Sequence, residues 1–219
     1  MTQHDESDRR PITVRDAGWA RRIARWLADR GISPNQISVL SIVFAALGAA
    51  ALIRGGLFMH HPALFPIAAA LCIQGRLLCN LFDGMVAVEY NKATPLGPVF
   101  NEFPDRIADS LLLVAAGYAA ADPVLGWLAA LAAALTAYVR VYGASCGLGH
   151  DFRGPMAKQH RMAVLTVACL AAAVVPVLPL GYPTMGVAMA MAIIVLLSLV
   201  TCVTRTLALC RQLEQKARQ

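Results

Sequence analysis

Six apolar segments of about 20 residues, roughly 36–54, 63–87, 98–120, 123–145, 161–180 and 183–204, leave this chain little choice of fold. In lipid every backbone polar group must be satisfied within the protein, so segments of this kind cross as helices. Proline and glycine punctuate the gaps, in "GISPNQ", "RGGLFMHHP", "ATPLGP", "ADPVLG", "RGPM" and "PLGYP". Of 219 residues 58% are hydrophobic and 15% charged, with a mean hydropathy of +0.59; a water-soluble domain carries about 25% charged residues. The expected fold is all-α, a polytopic membrane protein with six transmembrane helices over residues 32–206. Glycine and alanine are frequent inside the spans, which allows close helix packing and leaves room for a homodimer.

Lysine and arginine distribute unevenly around these spans. Arg9, Arg10, Arg15, Arg21, Arg22, Arg25 and Arg30 precede the first, Lys92 follows the second, and Arg153 and Lys158 follow the fourth. Arg205, Arg211, Lys216 and Arg218 follow the sixth, whereas the opposite loops hold only Arg54. Basic residues collect on the cytoplasmic side, which places both termini there. The net charge of +6 is read in the same way, as topology and contact with membrane lipids, not as a nucleic-acid surface. The first thirty residues are polar and arginine-rich, so a cleaved signal peptide is not expected. Cys72, Cys79, Cys146, Cys169, Cys202 and Cys210 show neither metal-ligand spacing nor the clustering of a disulfide scaffold.

Ahead of the first span, residues 12–31 read as an interfacial amphipathic helix. Val14, Trp19, Ile23 and Trp26 fall near one face with arginines around them. Residues 1–11 read as disordered and 207–219 as a cytoplasmic C-terminal tail.

Charge at the end of an apolar span costs free energy, and two such ends meet on the cytoplasmic side. "NLFDGMVAVEY" closes the second span and "GPVFNEFPDRIAD" opens the third. Asn80 and Asp83 share a helix face, as do Asn101 and Asp105, while Glu102, Asp105 and Asp109 recur at intervals of three and four. Carboxylates gathered this closely repel unless a cation intervenes, and hard oxygen ligands suit magnesium, manganese or calcium. Helix capping accounts for single residues of the set. It does not account for Asp83 near a helix C-terminus, where the dipole disfavours an anion, or for Asp109 deeper in its span. Acids inside a membrane mark functional sites.

These residues resemble the CDP-alcohol phosphotransferases, whose motif reads D-x-x-D-G-x-x-A-R, then eight residues, then G-x-x-x-D-x-x-x-D. Here Asn80, Asp83, Gly84, Ala87 and Val88 are followed after eight residues by Gly97, Asn101 and Asp105, at identical spacing. "GISPNQIS", residues 31–38, is similar to the G-[IL]-[ST]-P-N-x-[IL]-[ST] segment that opens the family's first span. The resemblance implies a six-helix enzyme of phospholipid synthesis in a bacterial-type inner (plasma) membrane. It implies one or two Mg2+ or Mn2+ ions at Asn80, Asp83, Asn101 and Asp105, a CDP-alcohol donor lipid such as CDP-diacylglycerol, and an acceptor alcohol. Asp105 would activate the acceptor hydroxyl, which attacks the donor's β-phosphorus and expels CMP. Asn35, Asp83, Gly84, Ala87 and Gly97 would hold the nucleotide, the small residues permitting close approach to the backbone.

Three positions depart from the pattern. Asn80 and Asn101 keep an oxygen ligand but delete a negative charge each, and Val88 stands where the motif has arginine. Glu102 and Asp109 are the acids positioned to substitute for the lost charge. A second register makes Asp105 and Asp109 the final pair, at the cost of the glycine spacing.

A basic group, Arg140, Arg153, Lys158 and Arg161, flanks the fourth and fifth spans. It reads either as topology or as a clamp for an acceptor phosphate, which arginine grips bidentately. Arg76, inside the second span, must find a partner or snorkel to the surface. Met59, His60 and His61 lie on the outer side with no catalytic reading. A six-span transporter would show inverted repeats and mid-membrane charge; a non-catalytic nucleotide- or lipid-binding relative remains the alternative that the two asparagines raise.

Overall fold

The structure, a computed structural model, describes residues 17–57, 63–149, 151–174 and 183–218. Residues 1–11, Val14, Met59, His60 and His61 therefore lie outside the described residues. Among those described the chain is all-helical, with seven helices. They are α1 (Gly18–Asp29), α2 (Pro34–Leu57), α3 (Leu64–Glu89), α4 (Gly97–Ala119), α5 (Pro123–Ser145), α6 (Lys158–Val174) and α7 (Pro183–Ala217). The third expected span is α4, and the sixth runs on as α7 to Ala217, so the C-terminal segment continues a helix.

Four helices, α2, α3, α5 and α7, are long and apolar enough to cross a membrane. Glu102, Asp105, Arg106 and Asp109 keep α4 out of that set, and α6 is described over only 17 residues. The outward faces are those of a protein in an apolar medium: Leu47, Leu71, Leu131, Val167, Leu196 and Val203 are all exposed. The inward faces are small. Along α5 the buried residues are Gly126, Ala129, Ala130, Ala132, Ala133, Thr136, Ala137 and Gly143, which lets neighbouring backbones approach.

Helix ends follow local rules that place the motif. Gly31, at φ 74°, closes α1 in a Schellman arrangement, its N–H donating to Ala28 O at 3.0 Å and that of Ile32 to Leu27 O at 3.1 Å. A capping box opens α2 two residues later: the Gln36 N–H donates to Ser33 Oγ (3.2 Å) and the Ser33 N–H to Gln36 Oε1 (2.9 Å). Pro34 follows at the first helical position, where its missing N–H is not needed. "GISPNQIS" is thus one stop and one start signal fused. α1 lays Ala20, Ala24 and Ala28 on α3, where Trp19 meets Phe82 edge to face at 6.3 Å. Trp26 and Ile23 stay exposed.

In the bundle α2 packs between α3 and α4, α4 leans on α5, and α7 closes the far side against α5 and α6. In the α4–α5 hairpin two backbones are in direct contact. A Cβ at Gly117 would lie 2.5 Å from Gly126 Cα and 2.9 Å from Asp122 O, both of them backbone. Neither atom can move aside without shifting a helix. We expect Gly117→Ala to lower the melting temperature of the detergent-solubilised protein, overpacking of this kind costing ~1–3 kcal/mol. Gly143→Ala, whose Cβ would find Leu209 at an ordinary 3.6 Å, is the control that should leave stability unchanged or raised.

Candidate active site

The N-terminal ends of α2, α4 and α6 and the C-terminal halves of α3 and α5 meet at one end of the bundle, linked by polar contacts. Ser38 of α2 donates to Asp83 Oδ2 of α3 at 2.7 Å, and Asn80 Nδ2 of α3 donates to Asp105 Oδ1 of α4 at 2.8 Å. Lys158, first residue of α6, places its ammonium on Asp105 Oδ2. Asn35 Nδ2 reaches Thr94 Oγ1 at 3.2 Å and ties the start of α2 to the loop before Gly97. Gly84, Ala87 and Gly97 are half-buried beside these groups, and a Cβ at Gly97 would meet nothing nearer than Thr94 Oγ1 at 3.9 Å.

Arg76 is fully buried on α3 and finds two partners on α4: Asp109 Oδ1 at 2.7 Å and Asp105 Oδ1 at 3.2 Å. Asp109 is shared, its Oδ2 accepting from buried Arg161 of α6 at 3.1 Å. Arg161 also donates to Met156 O (3.2 Å) and Thr136 Oγ1 (3.4 Å). The expected carboxylates therefore separate into distinct settings. Asp83 and Asp105 lie at this end of the bundle, each 6% exposed, whereas both Asp109 oxygens are held by guanidiniums. Glu102 turns to α5, accepting from Arg140 at 2.5 Å. Asn101 is exposed and makes no hydrogen bond among the described residues.

The basic group divides as well. Lys158 and Arg161 enter the carboxylate cluster. Arg140 lies over the Phe152 ring at 5.7 Å and borders a depression shared with Gly143, Asp151 and Arg205. Arg153 is exposed on the loop, 3.3 Å from Asp151. The loop itself is pinned: Arg205 of α7 donates to Arg153 O at 2.8 Å, and the Met156 N–H donates to Thr201 Oγ1 at 2.9 Å.

Ser38, Arg76 as a partner of the motif acids, and the Asn80–Asp105 bond were not read from sequence. Arg76 lies one turn before Asn80 on the same face of α3, a periodicity that pointed towards the motif. Ser38 lies in the opening segment but carries no charge to draw notice.

The donors available bear on a metal ion. No lysine or arginine pairs with Asp83 among the described residues, and Asn80 adds an amide oxygen one turn away. These are hard oxygen ligands of the kind Mg2+ and Mn2+ take. Among the described residues no three of Asp, Glu, His and Cys converge on a point. The oxygen donors present fit a divalent ion of this kind.

With this geometry in place, comparison with known proteins defines the class. The family model for CDP-alcohol phosphatidyltransferase matches residues 31–209, and the chain belongs to that family. It is 36% identical over 87 residues to a bifunctional IPC transferase and DIPP synthase of Rubrobacter xylanophilus, a match covering 40% of this chain and 18% of that protein. It is 26% identical over 152 residues to inner membrane protein YnbA of Escherichia coli, covering 69% and 73% of the two chains. The fold is that of Mycobacterium tuberculosis phosphatidylinositol phosphate synthase PgsA1 with CDP-DAG bound, at a TM-score of 0.72 and 21% identity, over 88% of this chain and 94% of that one. The same enzyme with manganese and citrate superposes with a TM-score of 0.72 at 20% identity, over 87% and 88%.

Removing one partner from a buried ion cluster costs far more than the cluster contributes net, about 3–5 kcal/mol. Asp109→Asn leaves Arg76 and Arg161 facing each other without their shared anion. We expect that variant to be the least stable of the Asn substitutions at Asp83, Asp105 and Asp109, measured by thermal unfolding in detergent. A melting temperature within a degree or two of wild type would show that the buried cluster does not hold the bundle.

Proposed function

We propose that the chain is an integral membrane enzyme of phospholipid synthesis that transfers a substituted phosphate group from a CDP-alcohol, CDP-diacylglycerol by preference, to the hydroxyl of an acceptor alcohol. The observation that carries this is that Asp83 of α3 and Asp105 of α4 meet at one end of the bundle at the motif spacing, with Gly84, Ala87 and Gly97 half-buried at that end. The family membership and the CDP-DAG complex of PgsA1 support the donor, and its manganese complex supports a divalent ion. In this reading α4 and α6 complete six spans, α1 lies at the cytoplasmic interface of a bacterial inner membrane with Trp26 and Ile23 in the lipid, and both termini are cytoplasmic. Two chains pairing through small-residue faces belong to the same reading.

The reaction balances without a further reagent. The acceptor oxygen bonds to the β-phosphorus, the anhydride bond to CMP breaks, and the hydroxyl proton passes to a carboxylate. Asp105 is that base: it holds the last acidic position of the motif, and Asn80 and Arg76 fix the position of its Oδ1. Asn35, Asp83 and the small residues seat the nucleotide. When bound, Mg2+ or Mn2+ at Asn80, Asp83, Asn101 and Asp105 supplies neutralisation of the diphosphate and of the leaving CMP. Glu102 and Asp109 bear on this only indirectly, through Arg140 and Arg76. Arg140, Arg153, Lys158 and Arg161 are the candidates for an acceptor phosphate. Arg140 is the one tested below, because it borders a depression at this end of the bundle, whereas Arg161 is buried on Asp109.

A second reading has one observation in its favour. Asp105 is engaged by Lys158, Arg76 and Asn80 together, as in a protein that binds the donor without turning it over. Purified protein supplied with CDP-diacylglycerol, Mg2+ or Mn2+ and a panel of acceptor alcohols decides between the two. Release of CMP is the expected result. Bound CDP-diacylglycerol with no CMP from any acceptor would establish the non-catalytic reading.

Two variants test the roles. Asp105→Asn should cut CMP release by about 10²–10⁴-fold, the usual contribution of a general base, while CDP still binds. Turnover at the wild-type rate would remove Asp105 from the mechanism. Arg140→Ala should raise the KM of a phosphorylated acceptor and spare that of the donor, at about 1.5–3 kcal/mol for a lost charged hydrogen bond. Unchanged acceptor kinetics would assign Arg140 to holding Glu102.

A further inference from the structure

We propose that the Lys158 ammonium is a built-in replacement for one divalent ion, so that this site binds a single divalent cation together with its nucleotide and never a pair. The inference deepens the transferase reading and rests on it for the placement of the diphosphate.

Three observations converge. Both oxygens of Asp105 already carry donors from this chain: Oδ1 accepts from Asn80 at 2.8 Å and from Arg76 at 3.2 Å, and Oδ2 carries the Lys158 ammonium with Arg106 3.7 Å away. The ammonium is positioned by the fold and does not merely reach in from the surface. It stands on the first residue of α6, just after Met156, whose N–H is held by Thr201 and whose carbonyl is held by Arg161. Its side chain is three-quarters buried against Asp105.

The amide at position 80 belongs to the same arrangement. An aspartate there would set a carboxylate against Asp105 and call for a cation between them. Asn80 instead donates an N–H to Asp105, so the pair is satisfied without one. Glu102 and Asp109 do not restore the lost charge to the cleft, because guanidiniums already hold them.

Charge balance then fixes the stoichiometry. Asp83, Asp105 and Asp109 are matched by Arg76, Lys158 and Arg161, with Arg106 a further 3.7 Å from Asp105, so the cluster carries no net negative charge before any ligand arrives. A donor diphosphate brings about two negative charges, which one divalent ion balances. A second ion would leave at least two uncompensated positive charges in a site of low dielectric, where such an excess is costly.

The test is to count Mn2+ bound to the purified full-length chain by the loss of the free-ion EPR signal, with and without CDP, and to measure CMP release from CDP-diacylglycerol on the same preparation. The expected result is one Mn2+ per chain, weak alone and tightened by CDP. The triple variant Lys158→Met, Asn80→Asp, Asn101→Asp should bind two. Lys158→Gln alone should tighten the single Mn2+ by about tenfold or more, since it removes a neighbouring positive charge. This single variant keeps the proposal testable should the triple variant fail to fold. Two Mn2+ ions, or none, on the wild-type chain with CDP would overturn the proposal, as would an unchanged Mn2+ affinity in Lys158→Gln. The transferase reading fails separately: one Mn2+ bound with no CMP released would end that reading and leave the stoichiometry standing.

Discussion

A single carboxylate, Asp109, sits between two buried guanidiniums, and the arrangement of the bundle depends on it. Arg76 comes from α3, Asp109 from α4 and Arg161 from α6, with Arg161 also donating to Thr136 of α5. Four helices are thereby registered at one level. Such a cluster adds little net stability, since each ion gives up its hydration. Its effect is on alternatives: any slide or rotation of α4 strands three buried charges at once. Helices in an apolar medium gain little from burying leucine against leucine, so small faces and polar contacts must select the packing. Nε and Nη1 of Arg76 and Nε of Arg161 have no partner among the described residues, which raises the cost of disturbing what remains.

The chemistry inherits this registration. Arg76 bridges Asp109 and Asp105, one turn apart on α4, so the residue that locks the bundle also orients the proposed base. Val88, where the family motif has arginine, is exposed near the end of α3. The guanidinium that reaches the motif acids comes instead from deeper in the same helix. The helix termini supply the other half of the design. Gly31, Ser33 and Gln36 turn α1 into α2 within a few residues and so set Ser38 against Asp83.

Much of this was legible in the sequence because the membrane imposes long-period signals. Span positions and the meeting of the second and third spans follow from hydropathy and helical periodicity, the motif spacing from its resemblance to a known family, and α3, α4 and α5 lie within a few residues of expectation. The pairings were not legible, for a physical reason. A helix face can be read from spacing along one chain segment, but which charge on a second helix meets it depends on crossing geometry. Lys158 read as a ligand for an acceptor phosphate from its place in a basic loop. Its contact with Asp105 depends on the pinning of Met156 by Thr201 on α7, a residue more than forty positions away. Glu102 failed to join the cleft acids for the same reason: its helical neighbours share its face, but Arg140 of α5 offers a nearer charge.

Compensation of the acids is graded with depth, and the gradient shows where the site can still accept a ligand. Asp109, the most buried at 1% exposure, has two guanidiniums to itself apart from the Arg76 contact with Asp105. Asp105, one turn nearer the end of the bundle, takes an ammonium, a share of Arg76 and a neutral amide. Asp83, across the cleft on α3, has a hydroxyl from Ser38 and no paired cation. A buried carboxylate with a neutral partner is the one that gains most from an arriving positive charge, because its desolvation is not yet offset. In the proposed reading, binding capacity is therefore concentrated at Asp83, with the Asn80 amide oxygen beside it. The side chains deeper in the bundle are spent on structure, and those at its mouth remain open to chemistry.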